Sequence, residues 1–206
     1  MQKIKKFKIS LAPASVRKNF KVLAGIERLT PEEEDRLSRE YENSRSWLSP
    51  AAVFETFRSD RWPAFLTVSM EPLRPVAASV LVATIGPQVE EQIGREASPS
   101  VPHAIMLAAL AEEGAESAAD FVSRLITEEA KKEDCELTVR EELTDPAKIE
   151  LALKGLCAER IGVTLKAPGV LSPRFTRVAS LLWIPRMTKK RRLLLPEAQA
   201  FADKPA

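Results

Sequence analysis

The sequence predicts an α+β domain in which a mixed or antiparallel sheet packs against several helices. Segments with the period-2 pattern of strands and segments with the 3.6-residue pattern of helices occur in an irregular order along the 206 residues. They do not alternate strictly, as they would in a doubly wound fold with a parallel sheet. The apolar content of 45% is enough for one sizeable core.

The N-terminal part combines a basic segment with a well-marked helix start. Residues 1–15 alternate lysines with apolar side chains, which indicates a strand or an arm that docks on another surface. Thr30 can cap a helix, Pro31 suits the first helical position, and Glu33 can close a capping box. We expect this helix to run to about residue 42.

Three strands are predicted next, at residues 52–57, 64–70 and 77–85. The second alternates polar and apolar side chains, as half-buried strands do. The third, AASVLVATI, is a continuous apolar run rich in β-branched residues, which indicates an interior strand covered on both faces. Pro87 then opens a short helix.

The second half is predicted to contain a long helix, a shorter helix and three strands. Residues 102–132 form the long helix, whose buried stripe consists of Ala111, Ala115, Ala118, Val122 and Leu125. Asp145 caps the shorter helix, and we expect Gly162 to end it. The strands are expected at residues 136–140, 163–167 and 175–184.

Composition argues against several classes of function. A net charge of +2 gives no basic face for nucleic acid. The basic residues gather at the ends, so we divide the chain into an N-terminal arm (1–15), one domain (16–186) and a C-terminal tail (187–206). Two distant cysteines indicate reduced thiols. The start lacks a signal-peptide core and no apolar run reaches about 18 residues, so we expect a soluble cytoplasmic protein without a membrane partner.

No standard catalytic or metal-binding set is visible. His103 is the only histidine, and its position near a helix start favours a surface or capping role. The junction at residues 84–87 places a helix N-terminus where it can receive an anion. The acidic residues Glu112, Glu113, Glu116 and Asp120 are typical of a solvated helix face. The KKRR run at 189–192 is a solvated tail in most proteins and can also grip an acidic partner.

Three segments share their order and spacing with one known family. They are VLAGI with the following TPEEED helix start, LVATIGPQVEEQI with IMLAALAEEGAESAAD, and AERIGVTLKAPGVLSP. Together they resemble the activation (reactivation) domain of vitamin B12-dependent methionine synthase. The resemblance covers roughly residues 20–185, and the chain looks like a divergent, stand-alone member of that family.

The resemblance implies an α+β domain that binds S-adenosylmethionine (SAM) beside a corrinoid. In the family, a flavodoxin-type donor supplies an electron, SAM methylates the transient Co(I), and the domain positions the sulfonium methyl over cobalt. The cofactor-binding residues that it implies are Arg140, Glu116, Asp120, Thr84 and Gly86. Cobalamin would be reached only through a partner, which is a corrinoid protein or a cobalamin-dependent methyltransferase.

The sequence departs from the family where the SAM carboxylate is held. Family members have an arginine and a Gly/Pro-rich, Tyr-containing loop, whereas residues 139–146 read VREELTDP. This segment is shorter and acidic, and without glycine it loses the usual residues of a tight loop of backbone amides. Glu141 and Glu142 also compete with a carboxylate for Arg140, whose plain interpretation is a surface strand residue paired with one of them.

Three functions therefore stay open at this point. The first is an accessory protein of corrinoid-dependent methyl transfer, inactive alone, with weak or lost SAM binding. The second is an active SAM-binding module for the reductive methylation and reactivation of a corrinoid protein, using Arg140 and Glu116. The third is a non-enzymatic interaction or scaffold protein. We also expect residues 84–87 and the Glu116 face to line one cleft.

Overall fold

The computed structural model describes residues 1–44, 46–63, 65–66, 74–96 and 101–186. The strands are β1 (Gln2–Lys5), β2 (Ala51–Arg58), β3 (Ala77–Thr84), β4 (Cys135–Leu137), β5 (Glu141–Glu142), β6 (Thr164–Ala167), β7 (Val170–Ser172) and β8 (Thr176–Pro185). The helices are α1 (Pro13–Ala24), α2 (Pro31–Ser44), α3 (Gln88–Glu96), α4 (Val101–Lys132) and α5 (Pro146–Gly155). The tail from residue 187, and all but two residues of the strand expected at 64–70, lie outside these ranges.

The main sheet is antiparallel and has the strand order β1-β2-β3-β8-β4, with β5 also paired to β8. β3 pairs along its whole length with β2 on one side and β8 on the other, and all its residues are buried. The prediction of an interior strand is therefore confirmed. β6 and β7 form a separate hairpin. The architecture is the α+β class that the sequence predicts.

Helices cover both faces of the sheet. One face packs on α4 through a stripe of mostly alanines, whose small side chains allow close approach, and the stripe continues through Ile126 rather than the expected Leu125. The other face packs on α5 and the residues after it. α1 and α2 pack on the N-terminal half of α4. No helix in the described part of the chain is long and apolar enough to cross a lipid bilayer.

The helix signals in the sequence differ in their outcome. The capping box forms, since the Thr30 N–H donates to Glu33 Oε2 at 2.7 Å and the Glu33 N–H donates to Thr30 Oγ1 at 3.3 Å. Asp145 caps α5 by accepting from the Ala147 N–H. The expected end of that helix at Gly162 is wrong, because Cys157 leaves the helical conformation with a φ of 45°. Gly162 ends a following 3₁₀ helix instead.

The basic N-terminal segment docks on its own chain. β1 pairs with β2 at the edge of the sheet. The next residues run along α4, where Phe7 stacks on Phe121 with ring centroids 4.4 Å apart. Further along α4, the Ser117 hydroxyl donates to the Ser10 carbonyl at 2.9 Å. α1, which the sequence patterns did not single out, begins at Pro13 directly after this docked segment.

Candidate functional site

Strand alternation brings charged side chains onto the face of the sheet that α4 covers. Ala179, Leu181 and Trp183 of β8 pack in the α4-side core, so Arg177, two residues before Ala179, lies on the same face. Glu142 of β5 pairs with Ala179 and therefore also points to α4. Arg140 lies two residues before Glu142 and shares its side.

The strand predicted at residues 136–140 is interrupted, and the interruption determines the position of Arg140 relative to α4. β4 ends at Leu137, and the Thr138 hydroxyl accepts from the Leu182 N–H at 3.0 Å in place of a main-chain carbonyl. The chain leaves regular pairing for three residues and rejoins β8 as β5. The guanidinium of Arg140 thereby reaches the flank of α4.

Arg140 is surrounded by three carboxylates. Its Nη1 donates to Asp120 Oδ1 at 2.7 Å, its Nη2 donates to Glu116 Oε1, and its Nε lies 3.5 Å from Glu142 Oε1. The arginine side chain is only 13% exposed. All three guanidinium nitrogens thus have an acid beside them, and the geometry brings together Arg140, Glu116 and Asp120 from the expected set.

Arg177 extends the network in the other direction along α4. Its Nη2 donates to Glu112 Oε2 at 2.5 Å and its Nε to Glu116 Oε2 at 3.4 Å. Glu116 therefore bridges the two arginines with one oxygen each. Sequence patterns alone did not identify Arg177 as part of the site. The signal that could have identified it is the position of Arg177 on β8. Arg177 faces inward, and the next inward-facing residues, Ala179 and Leu181, are apolar.

Burial shifts the pKa values of several charged groups around this network. Burial raises the pKa of the Glu142 carboxyl, an effect that the nearby arginines only partly oppose. Burial likewise raises the pKa of Glu113, which accepts from the Ala12 N–H at 3.1 Å. Burial by itself would lower the pKa of Arg177. The hydrogen bond to Glu112 and the negative charges of Glu112, Glu142 and Glu116 together outweigh this effect, so the pKa is raised. The four carboxylates of the network outnumber its two arginines, so its charge attracts cations more than anions.

Two open grooves lie on either side of Glu116. One, of about 420 Å³, separates α1 from α4 and is lined by residues including Lys18, Glu112 and Arg177. The other, which we call the α4–β5 groove, has a volume of about 520 Å³ and is lined by residues including Asp120 and Arg140. Val139 on its rim is 90% exposed. The described residues contain no cluster of potential ligands arranged to hold a metal ion.

Thr84 and Gly86 lie away from these grooves. Thr84 is fully buried at the end of β3, where its hydroxyl donates to the Phe175 carbonyl at 3.4 Å and accepts from the Gly86 N–H at 3.2 Å. Gly86 has a φ of 84°, and a Cβ there would lie 3.2 Å from the Ser49 Cβ. Neither residue lines either groove beside Glu116, so their ligand role stays a prediction.

The comparisons with known proteins concern the fold. The sequence matches no protein-family model and no curated protein. Among solved structures, the chain is similar to "Crystal Structure of the MetH Reactivation Domain bound to AdoHcy", with a TM-score of 0.55 and 15% sequence identity. The match covers 91% of this chain and 79% of that chain. It establishes a distant relationship in fold with that α+β domain.

Proposed function

We propose that this protein is an accessory component of corrinoid-dependent methyl transfer that docks on a corrinoid protein or a cobalamin-dependent methyltransferase and binds SAM weakly or not at all. The likeness in fold to the MetH reactivation domain supports the methyl-transfer context. The observation that carries the proposal is the set of ion pairs around Arg140, the residue that the resemblance aligns with the family's carboxylate-binding arginine. Each of its guanidinium nitrogens already has an internal carboxylate beside it.

A SAM carboxylate would have to displace an internal carboxylate from Arg140. Bidentate binding of a carboxylate uses two guanidinium nitrogens. Nη1 and Nη2 are engaged by Asp120 and Glu116, and these acids would be left beside the incoming negative charge. The exchange replaces existing ion pairs with an equivalent one and adds repulsion, so it contributes little to affinity.

The backbone after Arg140 offers no substitute. The Thr138 and Leu143 N–H groups donate to β8 carbonyls at 3.0 and 2.8 Å, and β5 between them is paired with β8. No residue from 138 to 145 has a positive φ, so the segment does not form an anion-binding nest of amides. These residues do not fit the carboxylate end of SAM. The proposed role is therefore docking, and no methyl-transfer step is assigned to this chain alone.

An active SAM-binding module is the second candidate, and the excess of acids favours it. SAM carries an ammonium and a sulfonium, and Glu116 and Asp120 are placed to attract them. The α4–β5 groove, at about 520 Å³, lies within the range of about 300–1,000 Å³ for small-molecule sites. The third candidate, a scaffold protein with no cofactor, differs from the first only in its partner.

Titration of the purified protein with SAM tests the first proposal against the second. The proposal expects a Kd no tighter than about 1 mM, equivalent to about −4 kcal/mol. Asp120→Asn removes the negative charge that competes for Nη1 of Arg140 and should tighten SAM binding severalfold. If Asp120 instead binds the SAM ammonium, the same substitution weakens binding. Glu91→Gln is the matched control, because it removes one negative charge from an exposed position on α3 that lines neither groove.

Micromolar binding of SAM by the unmodified protein would replace the first proposal with the second. Pull-down with a corrinoid protein, repeated with an Arg140→Glu variant, then separates docking from a scaffold role. Retention of the corrinoid protein supports docking. If the corrinoid protein is not retained by either form, with SAM present or absent, the scaffold alternative becomes the better account.

A further inference from the structure

A separate cavity lies between the N-terminal segment, the end of α2 and the start of α3. Its volume is about 680 Å³. It is lined by Lys6, Phe7, Lys8, Ile9, Ser10, Leu11, Tyr41, Ser44, Ser46, Leu48, Ser49, Pro50 and Gln88. None of these residues is acidic. The cavity thus has the opposite electrostatic character to the site around Arg140.

The two lysines of this cavity are not neutralised by the described part of the protein. Neither Lys6 nor Lys8 forms an ion pair there, and both side chains are exposed. Ser10 and Ser49 likewise have hydroxyls without a hydrogen bond to described residues, and both border the cavity. Two cations and two hydroxyl donors are a suitable set for a phosphate group.

The backbone changes direction where the chain enters the cavity wall. Lys6 has a φ of 56°, in the left-handed region that residues other than glycine rarely adopt. In a regular strand, Phe7 would point away from Lys6 and Lys8. The strand ends in this turn, and the chain from Lys6 to Leu11 then borders the cavity at every residue. The turn is held by the Lys6 N–H, which donates to the Pro50 carbonyl at 2.8 Å.

The walls of the cavity are fixed by hydrogen bonds between separate elements. The Tyr41 hydroxyl of α2 donates to the Leu11 carbonyl at 2.8 Å. The Ser49 N–H donates to the Ile85 carbonyl, also at 2.8 Å, and so ties the loop after α2 to the end of β3. Ser44 is 1% exposed, and its hydroxyl donates to the Tyr41 carbonyl. A cavity held in this way is preformed, which lowers the entropic cost of binding.

The apolar part of the lining limits the class of ligand. Phe7 has one ring face on Phe121 and also borders the cavity, together with Leu48 and Pro50. An inorganic anion would leave this surface uncovered. We propose that the cavity is a binding site for a small organic phosphate, with the phosphate on Lys6 and Lys8 and an apolar or aromatic group against Phe7 and Leu48.

Calorimetric titration with adenosine monophosphate (AMP) in a low-salt, phosphate-free buffer tests this site. We expect saturable binding that inorganic phosphate competes away and that adenosine, which lacks the phosphate, does not reproduce. The double variant Lys6→Gln/Lys8→Gln should bind AMP at least about tenfold more weakly, equivalent to about 1.4 kcal/mol. Lys3→Gln/Lys5→Gln is the control, because it removes the same charge from the same segment outside the cavity.

Three results would overturn the proposal: no AMP binding up to about 10 mM, an equal loss in the control variant, or adenosine binding as tightly as AMP. Backbone amide shifts in NMR give an independent readout, since AMP should move the signals of Ser10 and Ser49 in the unmodified protein. The site does not depend on the proposed function. Arg140→Gln should leave AMP binding unchanged whatever it does to SAM.

Discussion

Replacing Arg140 with glutamine removes the cation that three carboxylates share. The partners Asp120, Glu116 and Glu142 have side chains that are 59%, 43% and 42% exposed, so water screens each pair. Ion pairs of this kind contribute about 0.2–1 kcal/mol each. The total is about 2 kcal/mol, because the arginine is nearly buried and the three acids also repel one another once it is gone. For a chain of this size that lowers Tm by about 4–8 °C.

Thermal unfolding followed by circular dichroism in low and high salt is the assay. Arg124→Gln on α4 is the control, since Arg124 is exposed and forms no ion pair with the described residues. At 1 M NaCl the Debye length falls to about 3 Å, so the difference between the two variants should shrink by about half or more. Equal Tm values for the two variants at low salt would refute the reasoning. A difference that salt leaves unchanged would assign the loss to packing instead of charge.

Three further predictions concern the same framework. Glu113→Gln should flatten the dependence of the free energy of unfolding on pH, which urea unfolding from pH 4.5 to 7 measures. The folded-state pKa of Glu113 is raised, so its carboxyl destabilises the fold only at higher pH. This destabilisation is absent below the unfolded pKa of about 4.3 and grows as pH rises through the folded pKa. Ala118→Leu overpacks the fully buried contact of α4 with the sheet and should lower the free energy of unfolding by about 1–3 kcal/mol, measured by the same method. Gly86→Ala combines a left-handed φ with a contact to Ser49 and should cost about 1–3 kcal/mol; a Tm within 1 °C of the unmodified protein would contradict this.

Much of the fold can be predicted because several local signals agree with the tertiary structure. The run at residues 77–85 is apolar at every position but two. This composition is typical of a strand that is paired on both sides and covered on both faces, as β3 is. The hydrogen bonds of the Thr30 capping box and of the Asp145 cap join residues no more than three positions apart, so tertiary contacts do not alter them. The long helix begins at Val101, one residue before the prediction.

The parts that could not be predicted depend on distant partners. α1 has no side-chain cap at Ala12 and only two buried residues, Val16 and Phe20, so its stability comes from packing on α4. β5 is two residues long and exists because β8 lies beside it. The network around Arg140 follows from that short pairing. The resemblance in sequence predicts a ligand role for Arg140, but the number of acids that reach it depends on the register of β5 against β8.

The docked N-terminal segment has a consequence for handling the protein. β1 covers the outer edge of the first half of β2, from Ala51 to Phe54, which contains the buried Val53 and Phe54. Without β1 that edge would present unpaired main-chain groups beside apolar side chains, the arrangement through which sheets of separate molecules join. Removal of the first five residues would therefore expose this edge, and we expect such a truncation to promote aggregation.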